Sequence, residues 1–356
     1  MSSSRPVLPS TTGRHGVATV GAAVVLLHLA GWGALLALVL GTGTGAAGTG
    51  LFTGLALSAY ALGIRHAFDA DHIAAIDNAT RSLMARGRES AATGFWFALG
   101  HSSVVLLSVL LLALGFEVFA GGLADEGSGL RQAAGLWGGT VSGLFLVTAG
   151  ILNLAVLLRL HRARRAARTG AVDSAELDAH LDKRGVLHRL LHPVTRAVDR
   201  PARMYPVGFL FGLGLDTAAS IGLFVMAGGL APDLPWYAVL VLPVLFTAGM
   251  TLFDSADGIL MNRVYGWASA DARRKLDYNL VVTTVSVVLA FVIGGTSLLS
   301  VLAEVLRPAD GALAAVAAVD LNFLGVAVIV FFCLAWAGAR ILDRLRGPGG
   351  AALVRG

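Results

Sequence analysis

Arg65-His66-Ala67-Phe68-Asp69-Ala70-Asp71-His72-Ile73 sets five ionisable side chains within nine residues, inside a block near 53–76 that is otherwise apolar enough to cross a bilayer. An ionisable side chain at the bilayer centre costs roughly 2.5–3.5 kcal/mol on insertion scales, so such groups persist where they pair with each other, a proton or an ion. The stretch therefore reads as an ion-handling site within an all-α polytopic membrane protein.

The rest of the chain agrees. Of 356 residues, 56% are hydrophobic and 14% charged, where a soluble domain carries about a quarter charged residues. The apolar residues gather in eight blocks near 17–40, 53–76, 91–115, 133–158, 204–229, 235–262, 276–302 and 317–342, each long enough to span about 30 Å of hydrocarbon as a helix. Lys and Arg fall in alternate connections, as the positive-inside rule demands. Arg5 and Arg14 precede the first block, Arg81, Arg86 and Arg88 follow the second, and eleven basic residues lie between Arg159 and Arg203. Arg263, Arg273, Arg274 and Lys275 follow the sixth block, and Arg340, Arg344, Arg346 and Arg355 end the chain. The other connections hold only Arg131 and Arg307, beside Glu117, Asp125, Glu126, Asp233, Glu304 and Asp310.

The expected organisation is eight transmembrane helices with both termini cytoplasmic. Residues 1–16 form a cytoplasmic tail, 17–158 helices one to four, 159–203 a cytoplasmic basic loop, 204–342 helices five to eight, and 343–356 a second tail. The net charge of +5 is then a topology signal directed at anionic inner-leaflet lipid, and nucleic acid is not an expected partner. The first block is too long for a signal-peptide core of about 7–15 residues and reads as an uncleaved helix. A lone Cys333 excludes an intramolecular disulfide and a thiolate cluster. His188 and His192, four apart in the loop, fit a solvated amphipathic face better than a metal sensor.

Besides the second-block cluster, the apolar blocks contain His28, His101, Asn153, Asp216, Asp254, Asp257, Asn262 and Asn279. At about 1.5 Å per helical residue, His66 lies about 20 Å from the outer end of helix two, His101 about 15 Å from the inner end of helix three and Asp216 about 18 Å from the inner end of helix five. These three arrive near the midplane together. Asp254 and Asp257 lie deeper toward the cytoplasm on one helical face. Imidazole and carboxylate without thiolate suit a divalent first-row ion such as nickel, cobalt, zinc or manganese, and the same groups also suit a proton relay.

On a regular helix His66, Asp69, Asp71 and His72 point at about 0°, 300°, 140° and 240°. His66, Asp69 and His72 can share a broad face, but Asp71 points nearly opposite Asp69; for His66, Asp71 and His72 to bind one ion the helix must be irregular, so a bulge or unwound turn is expected here. Arg65, four residues before Asp69, is placed to pair with it.

The nine-residue stretch resembles the second-helix signature of the nickel/cobalt transporter family, in which a His, four residues and Asp-His are central to metal handling; the match falls on His66, Asp71 and His72. Leu99-Gly100-His101-Ser102-Ser103-Val104-Val105, Leu213-Gly214-Leu215-Asp216-Thr217-Ala218 and Gly249-Met250-Thr251-Leu252-Phe253-Asp254-Ser255-Ala256-Asp257-Gly258 resemble its other signatures, in order. The resemblance implies a high-affinity, low-capacity permease importing nickel, cobalt or both across the cytoplasmic membrane of a prokaryote. A transport reading requires an ion held near the midplane, and the residues available for it are His66, Asp71 and His72 as the expected primary site, His101 and Asp216 completing or gating it, and Asp254 and Asp257 lining the inner exit. The resemblance also marks His28 as a residue tuning nickel against cobalt. The third signature usually continues with Thr-Glu, where this chain has Ala219-Ser220.

Other classes fit less well. An efflux permease would use similar ligands, but its long His-rich loop is absent; four scattered His occupy the loop here. A membrane metalloprotease needs H-E-x-x-H, which does not occur. The intramembrane His residues are too few for the histidine boxes of a di-iron oxygenase. A purely structural protein has no reason to keep so many buried charges. The expectation is therefore a transporter and not an enzyme, with the metal as cargo and no resident cofactor.

Overall fold

A computed structural model describes residues 11–41, 46–114, 122, 125, 127–169, 198–214, 222–223, 236–268, 272–306, 311–317, 319 and 324–345. Among these the regular structure is helical, with no strand. The helices are α1 (Thr11–Gly41), α2 (Ala46–Ala67), α3 (Ala70–Ala85), α4 (Thr93–Ala113), α5 (Gly129–Thr169), α6 (Met204–Gly212), α7 (Trp236–Val239), α8 (Val241–Ala268), α9 (Ala272–Leu306), α10 (Ala312–Ala317) and α11 (Leu324–Leu345).

Five of them are long and apolar enough to cross a membrane, over Gly16–Gly41, Thr93–Ala113, Gly129–Leu158, Tyr237–Val264 and Leu280–Leu306. Eight uniform spans are not what the described residues contain. The second block is split between α2 and α3, half of the fifth lies outside the described residues, and the last contributes a shorter apolar helix, Leu324–Leu334. α5 continues as a helix to Thr169, beyond the expected boundary at 158. The loop from 170 to 197, with His188 and His192, lies outside the described residues.

α8 is the axis of the molecule. Buried residues make up 78% of the 18-residue apolar window of its span, against 17% for that of α1, and it packs against α1, α2, α3 and α4. α5 and α9 form an antiparallel pair against α3. α1 exposes Leu26, Leu29, Leu36 and Leu40, an apolar row that a protein in water does not sustain. The chain is a multi-pass membrane protein.

The core is not uniformly apolar. Arg81 is 7% exposed and donates to Thr283 Oγ1 at 2.6 Å and Ser286 Oγ at 2.7 Å, tying α3 to α9. Its placement in a cytoplasmic connection is therefore corrected: it is a buried helix residue, and Arg86 and Arg88 alone follow α3 as basic flanks. Asn153 of α5 donates to Asn78 of α3, and Asn262 of α8 donates to Ser90 at 2.7 Å. Each bond satisfies a polar group that lipid or apolar packing would leave unpaired.

Candidate functional site

The helix through the nine-residue stretch is interrupted at Phe68–Asp69. α2 closes with the tight bonds Phe68 N–H to Arg65 O (3.1 Å) and Asp69 N–H to His66 O (3.0 Å). Asp69 then turns extended, at φ −63° and ψ 137°, and α3 starts at Ala70. Instead of capping α3, the Asp69 carboxylate stands 2.8 Å from His66 Nδ1. Asp71, in the first turn of α3, accepts the His72 backbone N–H at 3.0 Å. The break leaves the carbonyl end of α2, which favours cations, beside the amide end of α3, which favours carboxylates.

The break brings together side chains that a continuous helix would hold apart. His66, His72 and His101 from α4 each offer a ring nitrogen, all within 4.8 Å of one another, and all three are buried. His66 Nε2 and His101 Nε2 are 2.9 Å apart. A metal–imidazole bond is about 2.0–2.1 Å, so two nitrogens on one ion lie at most about 4.2 Å apart. The His66–His101 separation already meets that limit, and the full set needs to close by less than about 1 Å.

Close backbone contacts hold these histidines in place. A Cβ on Gly63, one turn before His66, would collide with the carbonyl of Phe246. Without one, α2 presses against α8. The rings are walled by aromatic groups, His72 edge-on to Phe97 at 4.8 Å and 89°, and His66 against Phe246 at 5.7 Å.

α8 sets two further acids next to the histidines. Asp254 Oδ2 is 3.6 Å from His72 Nδ1, and Asp257 follows one turn on. Both carboxylates are buried, and none of their four oxygens has a hydrogen-bond partner among the described residues. Buried acids without partners are exceptions that require an explanation.

Asp71 does not join the ring contacts. It lines a cavity of about 480 Å³ together with His66, His72 and His101. Arg65 is exposed. Asp216 lies outside the described residues. His28 is away from the cluster, with Nδ1 2.8 Å from Val24 O and Nε2 3.2 Å from Tyr60 Oη, between α1 and α2. Sequence reasoning did not single out Asp77, which is 2% exposed and 3.9 Å from Arg81. Its i, i+4 spacing to Arg81 was the available signal.

The high-affinity nickel-transport protein family, NicO, has a model that matches residues 52–342, a range that includes the helix break, the three histidines and both α8 acids. The chain belongs to this family. It is 46% identical to the nickel transporter NicT of Mycobacterium tuberculosis over 90% of this chain and 87% of that one. It is 45% identical to the hydrogenase nickel incorporation protein HupN of Bradyrhizobium diazoefficiens, over 84% and 78%. With the cobalt transport protein NhlF of Rhodococcus rhodochrous the identity is 39%, over 94% of each chain. No solved structure matches. NicO membership makes the protein a transporter and not an enzyme.

Proposed function

We propose that this NicO protein imports nickel, cobalt or both across the cytoplasmic membrane of a prokaryote, through a site at the break between α2 and α3. The observation that carries this reading is the convergence of His66, His72 and His101 in a buried cluster at an unwound turn. Imidazole donors suit nickel and cobalt, and a broken helix inside a membrane is tolerated where it lines a binding site. Asp71 supplies the carboxylate facing the cavity, and Asp69 orients the His66 ring from behind, the role that carboxylates play at imidazole ligands. Asp216 remains a candidate to complete or gate the site, and His28, packed on Tyr60, a candidate to tune it from α1.

Asp254 and Asp257 carry the ion onward. Their unpartnered oxygens continue from His72 along α8, so an ion leaving the histidines meets anionic oxygen before solvent. Eight crossings with both termini in the cytoplasm complete the reading, supported by Arg86, Arg88, Arg200, Arg203 and Arg263 flanking the inner end. The membrane potential favours import, by about 2.3 kcal/mol per charge per 100 mV.

The test is accumulation of radiolabelled nickel and cobalt at nanomolar levels in cells expressing the wild type or Asp71→Ala at matched abundance. The expected result is uptake above background for at least one metal, reduced to background by the substitution. Accumulation below background would instead establish efflux, and uptake unchanged in Asp71→Ala would remove that carboxylate from the site.

A further inference from the structure

The cavity beside the histidines extends well beyond them. Its upper walls are the first half of α5, with Arg131, Gln132 and Ser142, and the last third of α9, with Thr296, Ser300 and Glu304. The antiparallel pairing fixes which ends meet. A Cβ on Gly139 would press on Val301, one on Gly143 on Leu298, and one on Gly150 on Ala290, so Arg131 and Glu304 share one rim. At the opposite end Arg86 and Arg88 follow α3, and α8 reaches Asn262 and Arg263. Along α8 the order is Phe246 beside His66, Asp254 beside His72, then Asp257. The histidines thus lie between the Arg131–Glu304 rim and the two acids.

We infer that this cavity is an outer vestibule in which a hydrated divalent cation, drawn in by Glu304 and led by the hydroxyls of Ser300, Thr296 and Ser142, descends with its water shell to the histidines. The inference rests on the import reading and adds the route and the place of dehydration. At ~30 Å³ per water, about 480 Å³ holds roughly sixteen waters, and an ion with six waters needs only about 180 Å³. The vestibule therefore has no need to strip the ion. Its hydroxyls are suited to a water shell. The Thr296 and Ser297 hydroxyls donate to helix carbonyls one turn back, Val292 O at 2.8 Å and Ile293 O at 2.9 Å, which leaves their oxygen lone pairs to accept from passing water. Imidazole nitrogens first become available as ligands at His66, His72 and His101. Dehydration belongs there, and discrimination between metals with it.

The side of access is tested by cysteine labelling. In a Cys333→Ala background, Ser300→Cys and Thr296→Cys are exposed to a cationic, membrane-impermeant methanethiosulfonate reagent in intact spheroplasts and in inverted vesicles. Val292→Cys, on the exposed lipid-side face of α9, is the control. The inference expects Ser300→Cys to react from the outside, Thr296→Cys to react more slowly from the same side, and Val292→Cys to stay unreactive. Modification of Ser300→Cys should cut metal uptake about tenfold or more. Glu304→Gln should raise the half-saturating metal concentration about threefold and flatten its dependence on ionic strength, as loss of a steering charge does. Reaction only in inverted vesicles, or in neither preparation, would overturn the inference. Outside labelling in a protein that accumulates no metal would refute the import reading and leave the vestibule standing, because reagent access does not depend on transport.

Discussion

His101→Ala is expected to abolish nickel and cobalt uptake, with an affinity loss of about 100-fold or more, while the protein still inserts and accumulates. The magnitude follows from its position. Loss of an outer-sphere partner of a metal ligand costs 10- to 100-fold in affinity, and His101 faces His66 directly, Nε2 to Nε2 at 2.9 Å. It is also the only one of the three histidines outside the α2–α3 break. Without it the other two rings face a hole at α4, and an ion held by them lacks the donor that fixes it against the helix pair. Stability should change much less, because the ring is edged by His72 and His66 and makes no bond at Nδ1 among the described residues. The measurement is initial uptake against metal concentration, with protein abundance determined in the same membranes. Uptake within a few-fold of wild type would remove α4 from the site.

Gly94→Val is expected to have the largest effect on the fold. A Cβ at Gly94 would sit on the carbonyl oxygen of Asp254, so α4 and α8 touch backbone to backbone at Asp254. Backbone cannot rotate aside as a flexible side chain does. Overpacking of a close-packed interior typically costs 1–3 kcal/mol, and here α8, packed on four helices, must move as a body. The loss should exceed about 3 kcal/mol, the upper end of that range, and appear as sharply reduced folded protein in membranes and a lower thermal midpoint in detergent. Gly94→Ala should lie between this variant and wild type. The neighbouring Thr93→Ser, which keeps the hydroxyl bonded to Ser90 O, should be near neutral. A fully folded, active Gly94→Val would contradict the packing described here.

These expectations depend on features that were unequally visible in the sequence. Hydropathy located the apolar blocks, because a helix that crosses lipid must be predominantly apolar along its length. It could not show that the second block ends a helix at Ala67 and starts another at Ala70. That break was legible another way: the angular spread of His66, Asp71 and His72 is incompatible with one ion on a regular helix. Its place at Phe68–Asp69 depends on Asp69 turning to His66 Nδ1, a local choice that periodicity does not encode. Composition misassigned Arg81. A charged residue next to a cytoplasmic connection looks like a flank until Thr283 and Ser286, some two hundred positions away, supply its hydroxyl acceptors. Asn153 was legible only as a generic helix contact, and its partner Asn78 emerges from the packing of α5 on α3. The vestibule had no sequence signature, since its hydroxyls and glycines are common on membrane helices and only the α5–α9 register assembles them.

The proposed function requires that the transported ion be held by imidazoles gathered at the α2–α3 break. The most direct measurement is nickel X-ray absorption on the purified, metal-loaded protein, comparing wild type with His66→Ala, His72→Ala and His101→Ala. The expected result is nitrogen and oxygen ligation without sulfur, with the outer-shell scattering of about three imidazoles, falling by one in each variant that still retains metal. A nickel spectrum free of imidazole scattering, or one unchanged by all three substitutions, would contradict it.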